Sequence, residues 1–508
     1  MSDMKNKVIA LMAMAMVSVA ASAFDGDSIA VVNRVDDFAH GDFSSVTEAW
    51  KNPALFQFRR NYTLTAISAG YDQWSENEAV DVQRGDKDSY WAIDAETYLK
   101  YRGSTIWGHA GYQNGKRRNV RWNETSDYDI VKPFILGDPT GGDMKREVYS
   151  FGGGYANRIG RSKFFIGASL AYTAGLYSRN VDPRPKNVTS KLDFHLGVGL
   201  FASDDYLAAL SLQFVRYRQS NDVTFYSELG NEKLYHLTGL GNHYARFAGT
   251  GYNTKYKGRN TRLSISVYPF SGRGMAITLA LSGHNIDNEL TDLNKLPMGR
   301  SVRTNIIGEV AWLGGRWEAT ARARISRLIG RERIFGDPAS GVYPEIGTID
   351  MYHNNEVNVT AIGVYRTRVA NVALVVSPSL SYNHSNEIYA DPKSRQVIND
   401  LTSALRFDFN WHTRHLQWNF LLRGEATTVL SSQQMLNSDD AELKSLRDAL
   451  VNKYELLNDT HGQLSTALSI TYAINTRYAL GLNFAYEHTF YTDDYARKHF
   501  MTSLSFYF

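Results

Sequence analysis

At 508 residues, with 21% charged and 43% hydrophobic residues, the chain is neither a disordered polyelectrolyte nor a helical membrane bundle. It contains no cysteine, which excludes a disulfide framework, a thiolate zinc site and a thiol nucleophile, and a formal net charge of +3 gives no reason to expect nucleic acid as a partner. Its 31 Tyr, 24 Phe and 40 Gly, against 11 Pro, suit twisted strands whose rings sit at a membrane–water boundary.

In chain order, Lys5 and Lys7 precede an apolar run from Val8 to about Val19, and Ala21-Ser22-Ala23 offers small residues for cleavage. Residues 1–23 therefore read as a secretory signal peptide, with an apolar run too short to span a bilayer. No later stretch approaches the ~20 apolar residues of a transmembrane helix. Residues 24–59 carry little strand pattern and are expected to form a periplasmic segment and candidate plug. Within them, Trp50-Lys51-Asn52-Pro53-Ala54-Leu55, followed by a strand near Tyr62, resembles the Asn-Pro-Ala approach to the barrel in long-chain fatty-acid transporter-like proteins. Those barrels have fewer strands than are counted here, so the resemblance does not carry their transport mechanism over.

From about Tyr62 onward the sequence alternates. Leu192, Phe194, Leu196, Val198 and Leu200 interleave with Asp193, His195, Gly197 and Gly199, and Leu405, Phe407, Phe409 and Trp411 interleave with Arg406, Asp408, Asn410 and His412. In an extended strand these sets face opposite sides. Short turns are expected near Arg102-Gly103-Ser104, Ile159-Gly160-Arg161, Ser203-Asp204-Asp205, Ser271-Gly272-Arg273, Gly314-Gly315-Arg316, Thr367-Arg368-Val369, Thr413-Arg414-His415 and Asn475-Thr476-Arg477. Longer connections lie between them, at 114–144, 219–257, 331–355 and 431–459. This rhythm predicts, for residues 60–508, an all-β fold: a closed antiparallel transmembrane β-barrel of about 18 strands with short periplasmic turns and long extracellular loops. Phe500, Thr502, Leu504, Phe506 and Phe508 form the outer face of the last strand. Ending on Phe, the chain resembles outer-membrane barrels in general, which implies a cell outer membrane location and recognition by the barrel-assembly machinery. As a whole it resembles a family of outer-membrane barrels of unknown function and similar length, a resemblance that supplies no activity.

Charge cannot face lipid cheaply, so the polar set must line the lumen. The candidate lumen-lining residues are Asp193, His195, Arg322, Arg324, Arg406, Asp408, Arg423 and Glu425, with Asp94, Glu96, Lys100 and Glu309 on the same face. They admit two readings: a water-filled passage that selects solutes, or an interior packed by paired charges. A ring of about 18 strands is too wide for side chains to fill, which favours water plus a plug drawn from Phe24 to Arg60. Leu443, Leu446, Leu450, Tyr454 and Leu457 recur at helical spacing and predict an amphipathic helix in the loop 435–457, as a lid, a docking surface for a partner, or rim packing. The aromatics of 219–257 suit sugar stacking or rim packing equally.

His353 and His384 lie almost equidistant from the turn at Val369, which places them side by side on one face, with metal binding a minor reading for want of a third ligand. Gly152-Gly153-Gly154 falls in a strand and is expected to relieve curvature. No metal, cofactor or catalytic motif is recognisable. The expected function is a channel or transporter for a small or medium solute, with outer-membrane lipid as partner. The alternative is a non-conducting barrel that serves as a subunit of a surface or uptake complex.

Overall fold

The structure, a computed structural model, describes residues 30–39, 45–227, 233–339, 341–438, 440–491 and 495–508; the expected signal peptide, residues 1–23, lies outside the described residues. Where apolar and polar residues alternate, the chain is extended, because only period two puts one set in oil and the other in water. Eighteen such strands form one sheet. They are β1 (Leu64–Glu76), β2 (Lys87–Tyr101), β3 (Ser104–Val120), β4 (Gly142–Arg158), β5 (Phe164–Arg179) and β6 (Arg184–Phe201). Then come β7 (Tyr206–Thr224), β8 (Thr254–Pro269), β9 (Gly274–Leu290), β10 (Leu296–Leu313), β11 (Trp317–Phe335) and β12 (Glu345–Val369). The last six are β13 (Val372–Tyr389), β14 (Ser394–His412), β15 (Leu416–Met435), β16 (His461–Ala473), β17 (Ala479–Phe490) and β18 (Ala496–Tyr507).

Each strand pairs antiparallel with its neighbours in chain order, and β1 closes on β18 from Ala66↔Tyr507 to Glu76↔Arg497. Thr65 N donates to Phe508 O at 2.8 Å at the seam. Closure matters because an unpaired backbone group in hydrocarbon costs several kcal/mol, on the order of a lost hydrogen bond without water to replace it. The outer face is apolar: Leu192, Phe194, Leu196, Val198 and Leu200 of β6 are all exposed, while His195, Gly197 and Gly199 are buried on the inner face. Trp312, Trp317, Trp411 and Trp418 stand at the short-turn end of this belt, the last two with rings stacked at 6.0 Å.

The short connections fall where alternation breaks. One is displaced: the β12–β13 turn is Ala370-Asn371, two residues beyond the expected position, with Ala370 at φ 51°. At the other end the long connections are shorter than the sequence suggested. Strands β11 and β12 leave only 336–344 between them, because both run on as strand past the apolar belt, where Arg331–Asp350 (2.6 Å) and Arg333–Glu345 (2.5 Å) link them and Ile334, Ile346 and Ile349 are exposed. The remaining long connections, 121–141, 225–253 and 436–460, fold inward over the mouth. Ile135–Gly137 pairs with Tyr235–Gly239, which pairs with Asn242–His243, and a helix occupies Lys444–Asn458. Trp122, Ile135, Tyr235, Leu237, Tyr256 and Leu446 form a core among these loops. Tyr235 and Tyr256 thus pack at the rim, whereas Tyr226 is exposed.

Candidate functional site

The inner wall carries a segment of the chain that precedes the first strand. Residues 49–51 and 53–58 form two 3₁₀ turns. Asn52 caps the second, its Oδ1 accepting from Ala54 N at 2.9 Å, and Pro53 occupies the first turn, where its missing N–H costs nothing. This backbone lies directly on Gly167 of β5 and Gly197 of β6, cross-strand partners in the wall. A Cβ on Gly197 would run into Asn52 Oδ1, and one on Gly167 into the Pro53 carbonyl carbon. Val46, Ala49, Ala54 and Leu55 are buried against Phe165, Leu207, Ala276 and Leu313. Phe58 sits edge-on to Phe165 at 5.0 Å and to Phe201 and Phe270 at 5.7 Å.

Polar clamps fix the segment beyond this burial. Glu309 of β10 is 1% exposed and accepts from the backbone N–H groups of Thr47 (3.2 Å) and Glu48 (3.0 Å). Arg322 of β11 pairs with Glu309 at 2.6 Å and donates to Thr47 Oγ1 at 2.7 Å. Glu48 pairs with Arg262 of β8 at 2.5 Å and with Lys51 at 2.7 Å. From β2, Tyr98 Oη donates to Phe56 O at 2.7 Å and Lys100 Nζ to Gln57 O. Across the barrel, helix Val31–Ala39 buries Val31 and Val35 against Tyr62, Leu64, Ala479 and Tyr507, and Val31 N donates to Thr476 O at 3.2 Å. The segment therefore touches both sides of the short-turn end.

The sequence-derived lumen residues occupy four separate places. Asp193 accepts from Gln213 at 2.8 Å, with His195 buried two residues along β6. Arg322 belongs to the clamp, whereas Arg324, two residues on, is exposed and makes no ion pair among the described residues. Arg406 pairs with Asp408 at 2.7 Å along β14, and Arg423 with Glu425 along β15. Sequence reasoning did not single out Glu48, Arg262, Gly167 or Gly197 as parts of the clamp. The inward phase of Gly167 and Gly197 on neighbouring strands was the available signal.

Two expectations need correction. His353 lies opposite Ile388, and His384 opposite Val357, so the two histidines share the outer face but stand four positions out of register. His384 Nδ1 lies 2.5 Å from Asn399 Oδ1 instead. No group of metal-ligating side chains forms among the described residues. In the β4 triplet, a Cβ on Gly152 would meet the His109 ring and one on Gly154 the Trp107 ring, so these glycines give room to inward side chains of β3.

The wall from β12 to β15 is built differently. Asn358 donates to Asn383 (2.6 Å), Asn383 to Asp400 (2.7 Å), and the hydroxyls of Thr402 and Thr427 meet at 3.0 Å. Asn358, Asn383, Asp400 and Thr402 keep partial exposure, and Thr427 is buried. At the long-loop end a small cavity of about 80 Å³ lies under Leu446 and Leu450, with Tyr128, Tyr352, Glu387 and Lys453 on its lining. Burial works to raise Asp81, but Lys453 at 2.7 Å and Arg84 hold it below the usual carboxylate range. Nearby, Arg179 lies 2.9 Å from both Glu124 and Asp138, all three buried. Burial first, then the Asp138 carboxylate, pushes Glu124 well above the ordinary range.

Residues 53–508 match a family of unknown function (DUF6850). No curated protein matches the chain. Among solved structures it is similar to BauA, the ferric preacinetobactin receptor from Acinetobacter baumannii, at 7% identity over 88% of this chain and 80% of that one, TM-score 0.42. It is also similar to the copper transporter OprC, at 9% identity over 85% and 62% of the two chains, TM-score 0.42. A third likeness is to a bacterial polysaccharide outer membrane secretin, at 10% identity over 87% and 97%, TM-score 0.37. At such scores these likenesses carry nothing about function.

Proposed function

The chain belongs to the DUF6850 family of unknown function, and for it we propose a gated outer-membrane barrel that passes a small or medium polar solute once its N-terminal segment is displaced. The outer-membrane location is supported by the apolar belt, the tryptophans at its short-turn edge and the closed sheet. The observation that carries the gating is the contrast between residues 45–58, clamped on the β2–β11 wall by Glu309, Arg322 and Arg262, and the polar wall from β12 to β15, which the described part of the N-terminal segment touches through Asp36 at Asn410. Amides and hydroxyls on that wall offer hydrogen bonds to a hydrated solute rather than an apolar slot, so a fatty acid is the weaker cargo. No catalytic step is part of the proposal.

The test is conductance in a planar lipid bilayer, comparing the full chain with a variant lacking Phe24 to Arg60. The expected result is rare openings from the first and stable steps from the second. Silence from both, with the variant shown to be folded and inserted, would overturn transport. It would favour the second reading, a non-conducting subunit of a surface or uptake complex, for which the loop-covered mouth is the supporting feature.

A further inference from the structure

The outer face of β7 and β8 is apolar for most of its height and then changes abruptly. Leu210, Leu212 and Phe214 are followed by Arg216 and Arg218, and Val267, Ile265 and Leu263 lead, through Thr261, to Arg259 and Lys257. All four cations are exposed. At ~3.3 Å per residue and ~40° of tilt, the climb from Tyr206 to Arg216 is roughly 25 Å, the height of a hydrocarbon belt. The block therefore stands where lipid headgroups would begin.

Its register brings like charges face to face. Arg216 faces Arg259 directly across the β7–β8 ladder, and Arg218 faces Lys257. On their other sides, Arg216 meets Leu192, Arg218 meets Ser190 and Arg259 meets Asn285. Lys257 has Glu289 at 2.6 Å, but Arg216, Arg218 and Arg259 make no ion pair among the described residues. Like charges directly opposite destabilise a sheet. Cations elsewhere on the outer face divide: Arg300 pairs with Asp287 and Arg331 with Asp350, both at 2.6 Å, whereas Arg327, Lys145 and Lys186 make no ion pair among the described residues.

We propose that Arg216, Arg218 and Arg259 form a binding site for a phosphate-bearing lipid headgroup in the leaflet at the long-loop end. A phosphate supplies the missing counter-charge, and a guanidinium binds two of its oxygens at once. Flanking leucine, isoleucine and phenylalanine side chains provide the surface for the acyl chains. The site rests on the membrane reading of the barrel but not on whether its lumen conducts.

The experiment uses the full chain refolded in neutral detergent, with native mass spectrometry of retained lipid A and of the same lipid with its phosphates removed. The wild type is expected to retain the phosphorylated form and to lose retention about tenfold when Arg216→Gln and Arg259→Gln are combined, since each basic contact at a membrane surface is worth several-fold. Lys145→Gln with Lys186→Gln, which removes the same charge from the outer face of β4 and β6, is expected to retain lipid as wild type does. In neutral detergent alone, the Arg216/Arg259 double variant is expected to melt at or above the wild-type temperature, because the opposed charges are gone. Retention unaffected by the arginine changes, or reduced equally by the lysine pair, would overturn the site. Failure of the wild type to insert into phosphatidylcholine bilayers would instead overturn the membrane reading.

Discussion

The two halves of the inner wall solve different problems with the same backbone. From β4 to β7 a band of inward positions is small, with Gly152, Gly154, Gly167, Gly197 and Ser211 in phase, and the room the glycines leave is taken by rings or by the chain itself. From β12 to β15 many inward positions are asparagine, threonine, serine, aspartate and arginine, which bond to one another, some part-exposed as Asn358, Asn383 and Arg406 are and some buried as Asp408 and Thr427 are. A wide barrel must fill or hydrate its lumen. This one packs residues 45–58 of its N-terminal segment against one side and lines the other mainly with polar side chains, which the segment touches through Asp36 at Asn410. Covering a wall takes away side-chain bulk, whereas leaving it open adds hydrogen-bonding groups.

The sharpest way to break this contrast is at the clamp. Glu309→Ala removes the acceptor of two backbone N–H groups and the partner of Arg322, leaving a part-buried guanidinium uncompensated. We expect a loss of about 3 kcal/mol in denaturant unfolding, toward the low end for a broken buried pair because Arg322 keeps some solvent. We also expect new proteolytic cleavage between residues 45 and 60 and more frequent conductance steps. The matching change on the open side, Asp408→Ala, removes a pair made within one strand and is expected to leave cleavage of the segment unchanged. Equal release by both would mean that the clamp is not what seats the segment.

A gentler test changes volume without charge. Gly197→Val places a side chain where Asn52 and Ala54 lie, and overpacking of this kind costs about 1–3 kcal/mol. Gly424→Val on the outer face of β15 meets nothing within 4 Å and is expected to be neutral within about 0.5 kcal/mol. Melting temperature and cleavage of residues 45–60 should therefore change in the first variant only. If both variants lose stability alike, strand distortion rather than eviction of the segment is responsible.

How far these features could be read in advance follows from the period of the signal. Alternation is local, so strands such as β6 and turns such as Arg102-Gly103 were legible residue by residue. The same parity put Arg322 and Glu309 inward but could not say what they hold, because their partners Thr47 and Glu48 lie some 260 positions away in a stretch without periodicity. Register is less forgiving than phase. Moving the β12–β13 turn by two residues shifts every cross-strand partner by four, which separates His353 from His384. Loop length was overestimated for a related reason: toward the ends of β11 and β12 charged residues such as Arg331 and Asp350 mix with exposed Ile334, Ile346 and Ile349, so their extension as strand carries no clean alternation to read.

The smallest expected effect concerns the covered mouth. Glu124 is buried beside Asp138 and Arg179, and its carboxyl is held well above the ordinary range by burial and by the Asp138 charge. A carboxyl whose folded value is raised contributes stability that is fully present below its unfolded value of about 4.5 and is lost as pH rises through the folded value. Raising the pH above the ordinary carboxylate range should therefore loosen the loop 121–141 while the strands stay closed. The slope is bounded by one proton, about 1.4 kcal/mol per pH unit of local opening. Hydrogen exchange of the loop amides reads it directly, because local opening is separated there from global unfolding. Glu124→Gln keeps the shape and cannot titrate, so its loop protection should be flat over the same range. A slope that persists in Glu124→Gln would assign the pH response to another group and leave the Arg179 cluster as plain packing.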